Sequence, residues 1–328
     1  MMSFRNLTRR TALTLTAVAA LSLTGIAGAN AADNVKVGVF PVTSALPYFV
    51  ALERGYFKDV DIDAEMVRLI GGPALVAAMI TKDIDVAANL VTIEGMNANL
   101  KKPGLVNYIS INSQNKQYKM ETFVVRKGFD ANSIADLKGA KIMSAPGPAN
   151  IMMAKAVLAA NGLKEGDYQL DQLAMPQHVS AMQAGTYDAG YTLEPAVTMM
   201  ENQGSAKALE SGLIATYVLG KDDADAWVAG TALTGEFLKD RPDVAKRFAA
   251  AWARALADIA KDNTVRSHLV KNTFTPEAVA PTVPLVNFVM AGDLSAGDKA
   301  EYQQFIDFVT DSGVLSEKVD VTKYLKTF

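Results

Sequence analysis

Val35-Lys-Val-Gly-Val-Phe40 followed by Pro41-Val-Thr-Ser-Ala-Leu-Pro-Tyr-Phe-Val-Ala-Leu-Glu-Arg-Gly-Tyr-Phe57 changes period halfway along. The first six residues alternate and are β-branched, which predicts a strand, whereas Phe49, Val50, Leu52 and Phe57 fall on one helical face. Pro47 has no amide hydrogen to leave unpaired and suits a first helical turn, and Gly55 suits the stop. The stretch therefore reads as strand, short polar turn and helix. Such a turn aims free amides and the hydroxyls of Thr43 and Ser44 past the strand end, where open α/β sheets bind their ligands.

The plan repeats downstream. Ile62–Ile70 predicts a second strand, Gly71-Gly72-Pro73 breaks it, and Ala74–Ile80 predicts a helix. Lys82–Asn89 predicts a third strand ending at Asn89–Thr92 before a helix from near Ile93, and Leu105–Ile111 predicts a fourth. A strand at Thr122–Arg126 starts a second series: Lys141–Ser144, a turn at Ala145–Ala149, a helix from Asn150, a strand at Tyr168–Ala174, a turn at Pro176–His178, a helix at Val179–Ala184, and a strand at Asp188–Leu193 leading to Glu194-Pro195. Ile214–Leu219 and Trp227–Leu233 predict two more strands, and the remainder reads as helical. The fold class is α/β, with parallel sheets faced by helices in two matched halves.

With 328 residues, half of them hydrophobic, the chain can build two cores. A net charge of −3 with scattered basic residues carries no electrostatic footprint for nucleic acid. The absence of cysteine excludes disulfides, thiolate catalysis and cysteine-bound metals, and two isolated histidines make no metal cluster. No cofactor fingerprint, nucleophile elbow or phosphate loop is present.

The N-terminus has the plan of a secretory leader. Arg5, Arg9 and Arg10 precede an apolar run from Ala12 to Ile26 and the small residues Ala29-Asn-Ala31. Cleavage is expected after Ala31. The run is shorter than the ~20 residues that span a bilayer, and Thr8-Arg-Arg-Thr11 also matches the paired arginines of twin-arginine export.

Four turns follow a strand and open a helix, so each carries the positive end of a helix dipole. They supply the candidate ligand contacts Thr43, Ser44, Leu46, Gly72, Asn89, Thr92, Gly147 and Asn150. Such turns also occur in any α/β protein as plain connections. They contain no lysine or arginine, which favours a monoanion or zwitterion over a polyphosphate. Glu194 either accepts a ligand amine or hydroxyl or caps its own helix; His178 either donates to a ligand or is a satisfied structural histidine; Tyr191, Phe40 and Tyr48 line a cleft or belong to the core.

Pro47, Ala51, Glu53, Gly55 and Phe57, then Gly71-Gly72 with Asp83-Ile-Asp85, Asp136–Ile142, Ala181–Ala189 and Glu194-Pro195 occur in an order that resembles the periplasmic solute-binding proteins of the nitrate, sulfonate, taurine and thiamine-precursor group of ABC importers. Phe237, Pro242, Arg247 and Phe248 fit as well. The resemblance implies a two-lobed type II periplasmic binding protein with two crossing strands and hinge closure on a ligand. It places lobe 1 at 32–117 and 216–328 and lobe 2 at 118–215. It implies a monomer that captures a small-molecule ligand, such as a sulfonate or carboxylate, for a membrane permease, with no catalysis, cofactor or metal. The competing expectation is an enzyme on the same fold, of the pyrimidine or menaquinone precursor type, which the leader argues against.

Overall fold

The computed structural model describes residues 31–328, so the expected leader lies, but for Ala31, outside the described residues. Residues 32–328 form one compact unit. Two sheets organise it.

The first sheet begins with β1 (Asp33–Val39), whose inward residues Val35, Val37 and Val39 are fully buried. A 3-10 turn at Thr43–Ala45 leads to α1 (Leu46–Glu53) with Pro47 in its first turn, and Gly55 takes a φ of 77° just beyond its end. Then come β2 (Ile62–Arg68), α2 (Gly72–Thr81), β3 (Val86–Val91), α3 (Thr92–Lys101) and β4 (Val106–Gln114). The third strand starts four residues after Lys82, which instead ends α2 in the left-handed region at φ 66°.

After β4 the chain crosses to the second sheet. There β5 (Glu121–Arg126), β6 (Lys141–Ser144), α4 (Pro148–Ala160), β7 (Gln169–Gln172), α5 (Met175–Gln183), β8 (Ala189–Leu193), α6 (Ala196–Asn202) and β9 (Ala206–Ser211) follow in order. It returns through Gly212, α7 (Leu213–Tyr217) and an acidic turn to β10 (Ala226–Thr234) in the first sheet. Helices α8 (Gly235–Asp240), α9 (Pro242–Ile259) and α10 (His268–Thr273), strand β11 (Asn287–Met290) and α11 (Ala296–Asp311) complete the described chain.

Neither sheet is wholly parallel. The first has order β11-β4-β10-β3-β1-β2, with β1 parallel to β2 and β3 while β10 runs antiparallel to β3 and β4. The second has order β7-β6-β8-β5-β9, with β5 antiparallel to β8 and β9. The reversed strands are β10 and β5, by which the chain enters each sheet from the other, and β11; β4 and β9, by which it leaves, run with the parallel strands.

Four further expectations need correction. Ile214–Leu219 is not a strand: its first residues form α7, whose Ile214 amide donates to the distant Glu121 carboxylate. A short apolar run cannot distinguish strand from helix by period, and tertiary capping decides here. The strand β9 was absent from the expected series, and β11 interrupts a tail that reads as helical, because β4 offers it an antiparallel partner. His178 belongs to α5, not to a turn, since Pro176 opens that helix two residues earlier.

The first lobe has its own aromatic core. Helix α9 presents Val244, Phe248, Ala251, Trp252 and Ala255 inward at helical spacing, against α1. Phe248 stacks on Phe57 at 4.9 Å and on Trp252 at 5.8 Å between ring centroids. This packing fixes α1, and with it the Thr43–Ala45 turn.

Candidate functional site

The carboxyl ends of β1 and β3 in one lobe face those of β6 and β8 in the other, and between them lies a narrow cavity of about 50 Å³. Both lobes wall it. Phe40, Ser44, Gly72, Asn89 and Asn112 come from the first, and Met120, Glu121, Asn150, Met153 and Tyr191 from the second. The volume is well short of the roughly 300–1,000 Å³ of ligand pockets. Larger depressions of about 550 and 590 Å³ are open surface grooves, one beside α8 and one beside α6.

Five of the eleven candidate residues line the cavity: Ser44, Gly72, Asn89, Asn150 and Tyr191. Asn89 also clips β3 to the end of β1. Its Oδ1 accepts from the Phe40 amide at 3.1 Å, and its Nδ2 donates to the Phe40 carbonyl at 2.8 Å and to Ser44 Oγ at 3.0 Å. That bond leaves the Ser44 proton free to donate. Asn150 donates to the Pro146 carbonyl at 2.7 Å, which steadies the α4 turn. Phe40 lines the cavity as well, whereas Tyr48 lies in the core and donates to the Ala64 carbonyl at 3.0 Å.

Two candidates hold the lobes together. Thr43 reaches across with its amide 3.2 Å from the Glu194 carbonyl and its hydroxyl 3.0 Å from Met120 Sδ. Gly147, at φ 107°, donates to Gln172 Oε1 at 2.8 Å and lies against Glu94, whose Oε1 would stand 3.2 Å from an added Cβ.

The remaining four point elsewhere. Leu46 is buried in the first lobe's core, and the Thr92 hydroxyl donates to the carbonyls of Trp227 and Val228. His178 is fully buried with Nδ1 2.7 Å from Thr192 Oγ1 and Nε2 3.0 Å from the Leu173 carbonyl, so it is a satisfied structural residue. Glu194 takes the capping alternative: its Oε2 accepts from the Thr198 amide at 3.1 Å and hydroxyl at 2.8 Å.

Sequence reasoning passes over two carboxylates. Glu121 opens β5 on the cavity wall; Ile214 N donates to its Oε1 at 3.1 Å, while its Oε2 has no partner. Glu94, in the first turn of α3, sits behind Gly72 and Gly147 with both oxygens unpartnered. Glu194 is therefore not the single carboxylate at the cleft. No lysine, arginine or histidine lines the cavity among the described residues.

Burial, opposed by nearby amides, pushes the carboxyls of Glu94 and Glu121 up to about 7, and burial does the same to Glu194 against its two Thr198 hydrogen bonds. A carboxyl raised in the folded chain stabilises it below its unfolded value near 4.5 and loses that contribution as pH rises through about 7. Burial lowers His178 to about 4 and lowers His268 as well, and both act in the opposite sense below 6.5, two groups against three. The melting temperature of the solute-free chain is therefore expected to fall between pH 5 and 7. Glu121→Gln should lessen that slope by roughly 1.4 kcal/mol per pH unit. A slope unaltered by the substitution contradicts the assignment.

A family model described as NMT1/THI5 like matches residues 42–264. An aliphatic sulfonates-binding protein of Bacillus subtilis is 24% identical over 324 residues, covering 93% of this chain and 91% of its own length. The alkanesulfonate-binding protein SsuA from Xanthomonas axonopodis, solved bound to MOPS, superposes with a TM-score of 0.71 at 19% identity, covering 89% of this chain and 98% of that one. The periplasmic nitrate-binding protein NrtA from Synechocystis does so with a TM-score of 0.69 at 17% identity, over 89% and 84%. The fold is the two-lobed one that these binding proteins share. No described helix is long and apolar enough to cross a membrane.

Proposed function

Because this chain belongs to the NMT1/THI5-like family, we propose that it is the solute-binding component of an ABC importer, capturing a small polar organic molecule and delivering it to a membrane permease. It is a binding protein rather than an enzyme, as are the sulfonate and nitrate binders it resembles. The observation that carries the reading is the buried cavity walled by strand ends from both sheets. The solute class spans sulfonates, carboxylates and zwitterions.

In this reading the leader is removed after Ala31, by the general or the twin-arginine route, and the chain works in the periplasm as a monomer. Lobes of 32–117 with 216–328 and of 118–215 swing about the two crossings, as hinged binding proteins do. Ser44, Gly72, Asn89, Asn150 and Tyr191 contact the solute.

A thermal-shift panel of sulfonates, carboxylates, amines, zwitterions and vitamin precursors tests this. A solute at 100 times its dissociation constant adds about 2.7 kcal/mol, which raises the melting temperature by several degrees. Silence across the panel, or turnover of any compound, overturns the reading.

A further inference from the structure

We infer that the solute this chain selects carries an organic ammonium group on an apolar body, with the Glu121 carboxylate as its partner and Glu94 as a second carboxylate behind Gly72. The inference rests on the binding reading and shifts its solute class from anions towards an organic cation.

Two buried carboxyls carry oxygens without a donor. Glu121 is 1% exposed, lines the cavity, and has one oxygen fixed by the Ile214 amide and the other without any partner. Glu94 is 7% exposed with neither oxygen partnered. A buried acceptor without a donor is costly, and an unpaired buried charge more so. No basic side chain on the cavity wall answers Glu121, which leaves its free oxygen open to a donor carried by the solute.

The rest of the wall agrees. Phe40 and Tyr191 are aromatic residues of the wall, and Met120 and Met153 offer an adaptable apolar surface to the solute's body. Asn112 and Gln114, one pleat apart on β4, add side-chain carbonyls that accept from N–H groups. A plain sulfonate brings negative charge beside the Glu121 carboxyl.

Calorimetric titration of the chain freed of its leader with two matched trios tests this: butylamine, butanol and butanesulfonate, and their 2-phenylethyl counterparts. The amine of each trio is expected to bind at least tenfold more tightly than the alcohol and the sulfonate. Glu121→Gln is expected to weaken the amine at least tenfold and to leave the alcohol within twofold. A sulfonate that binds as well as its amine, an amine indifferent to Glu121→Gln, or silence from both trios overturns the inference. Since the trios are compared on the unsubstituted chain, a misfolded variant does not spare it. A response elsewhere in the thermal-shift panel would then leave the importer reading standing, whereas silence in both removes both.

Discussion

Gly212→Ala is expected to cost the chain about 3–5 kcal/mol of stability, the sum of left-handed backbone strain and a forced backbone shift. Gly212 stands at φ 70° where the chain leaves β9 on its way back to the first lobe. A Cβ added there would lie 2.5 Å from the Lys116 amide nitrogen and 2.6 Å from the Asn115 carbonyl carbon, both on the outward crossing. Backbone cannot rotate aside as a side chain can. The two crossings are also tied to each other: the Lys116 amide donates to the Asp222 carbonyl at 3.3 Å, and its Nζ lies 2.9 Å from the Asp222 carboxylate. A methyl at Gly212 wedges these segments apart where the two crossings meet.

Gly220→Ala supplies the comparison. Gly220 has φ 74° but nothing within 4 Å of an added Cβ, so only the backbone strain of roughly 1 kcal/mol applies. Denaturant unfolding of the two variants separates strain from collision. If Gly212→Ala costs no more than Gly220→Ala, the crossings are not in the contact described.

Much of the fold was legible because local chemistry and tertiary packing agree along most of the chain. Pro47 and Pro73, read as helix openers, do sit in the first turn of a helix, where a missing amide hydrogen costs nothing, whereas Pro148 and Pro176, read as turn residues, open helices as well. Alternation of strand and helix set out two α/β halves, and the carboxyl ends of their strands do meet. The failures lie where a distant partner decides. Leu213–Tyr217 is held as a helix by Glu121 from another strand, and Asn287–Met290 is a strand because β4 has a free edge.

The site was legible in its loops but not in its charges. Ser44, Asn89 and Asn150 belong to βα turns, and turn chemistry is a local signal. Glu94 in a helix's first turn and Glu121 at a strand's start occupy positions where a solvated carboxylate is ordinary. Only the meeting of the lobes buries them. Thr43 shows the converse: its hydroxyl was expected to face a ligand, and it is taken up by the opposite lobe.

The central claim is that a solute enters between these lobes and that they part to admit it. Gly71 on one rim and Pro146 on the other allow a direct test, because a Cβ added to Gly71 stands 3.7 Å from Pro146 Cβ, within the roughly 3.5–4.5 Å of a disulfide. The chain has no cysteine to interfere. A Gly71→Cys, Pro146→Cys chain, oxidised before addition of the solute that gives the largest thermal shift, is expected to show no binding by calorimetry, while the same chain reduced binds normally. The reduced form controls for strain at φ 82° in residue 71. Equal affinity in the oxidised and reduced forms would contradict entry through the cleft.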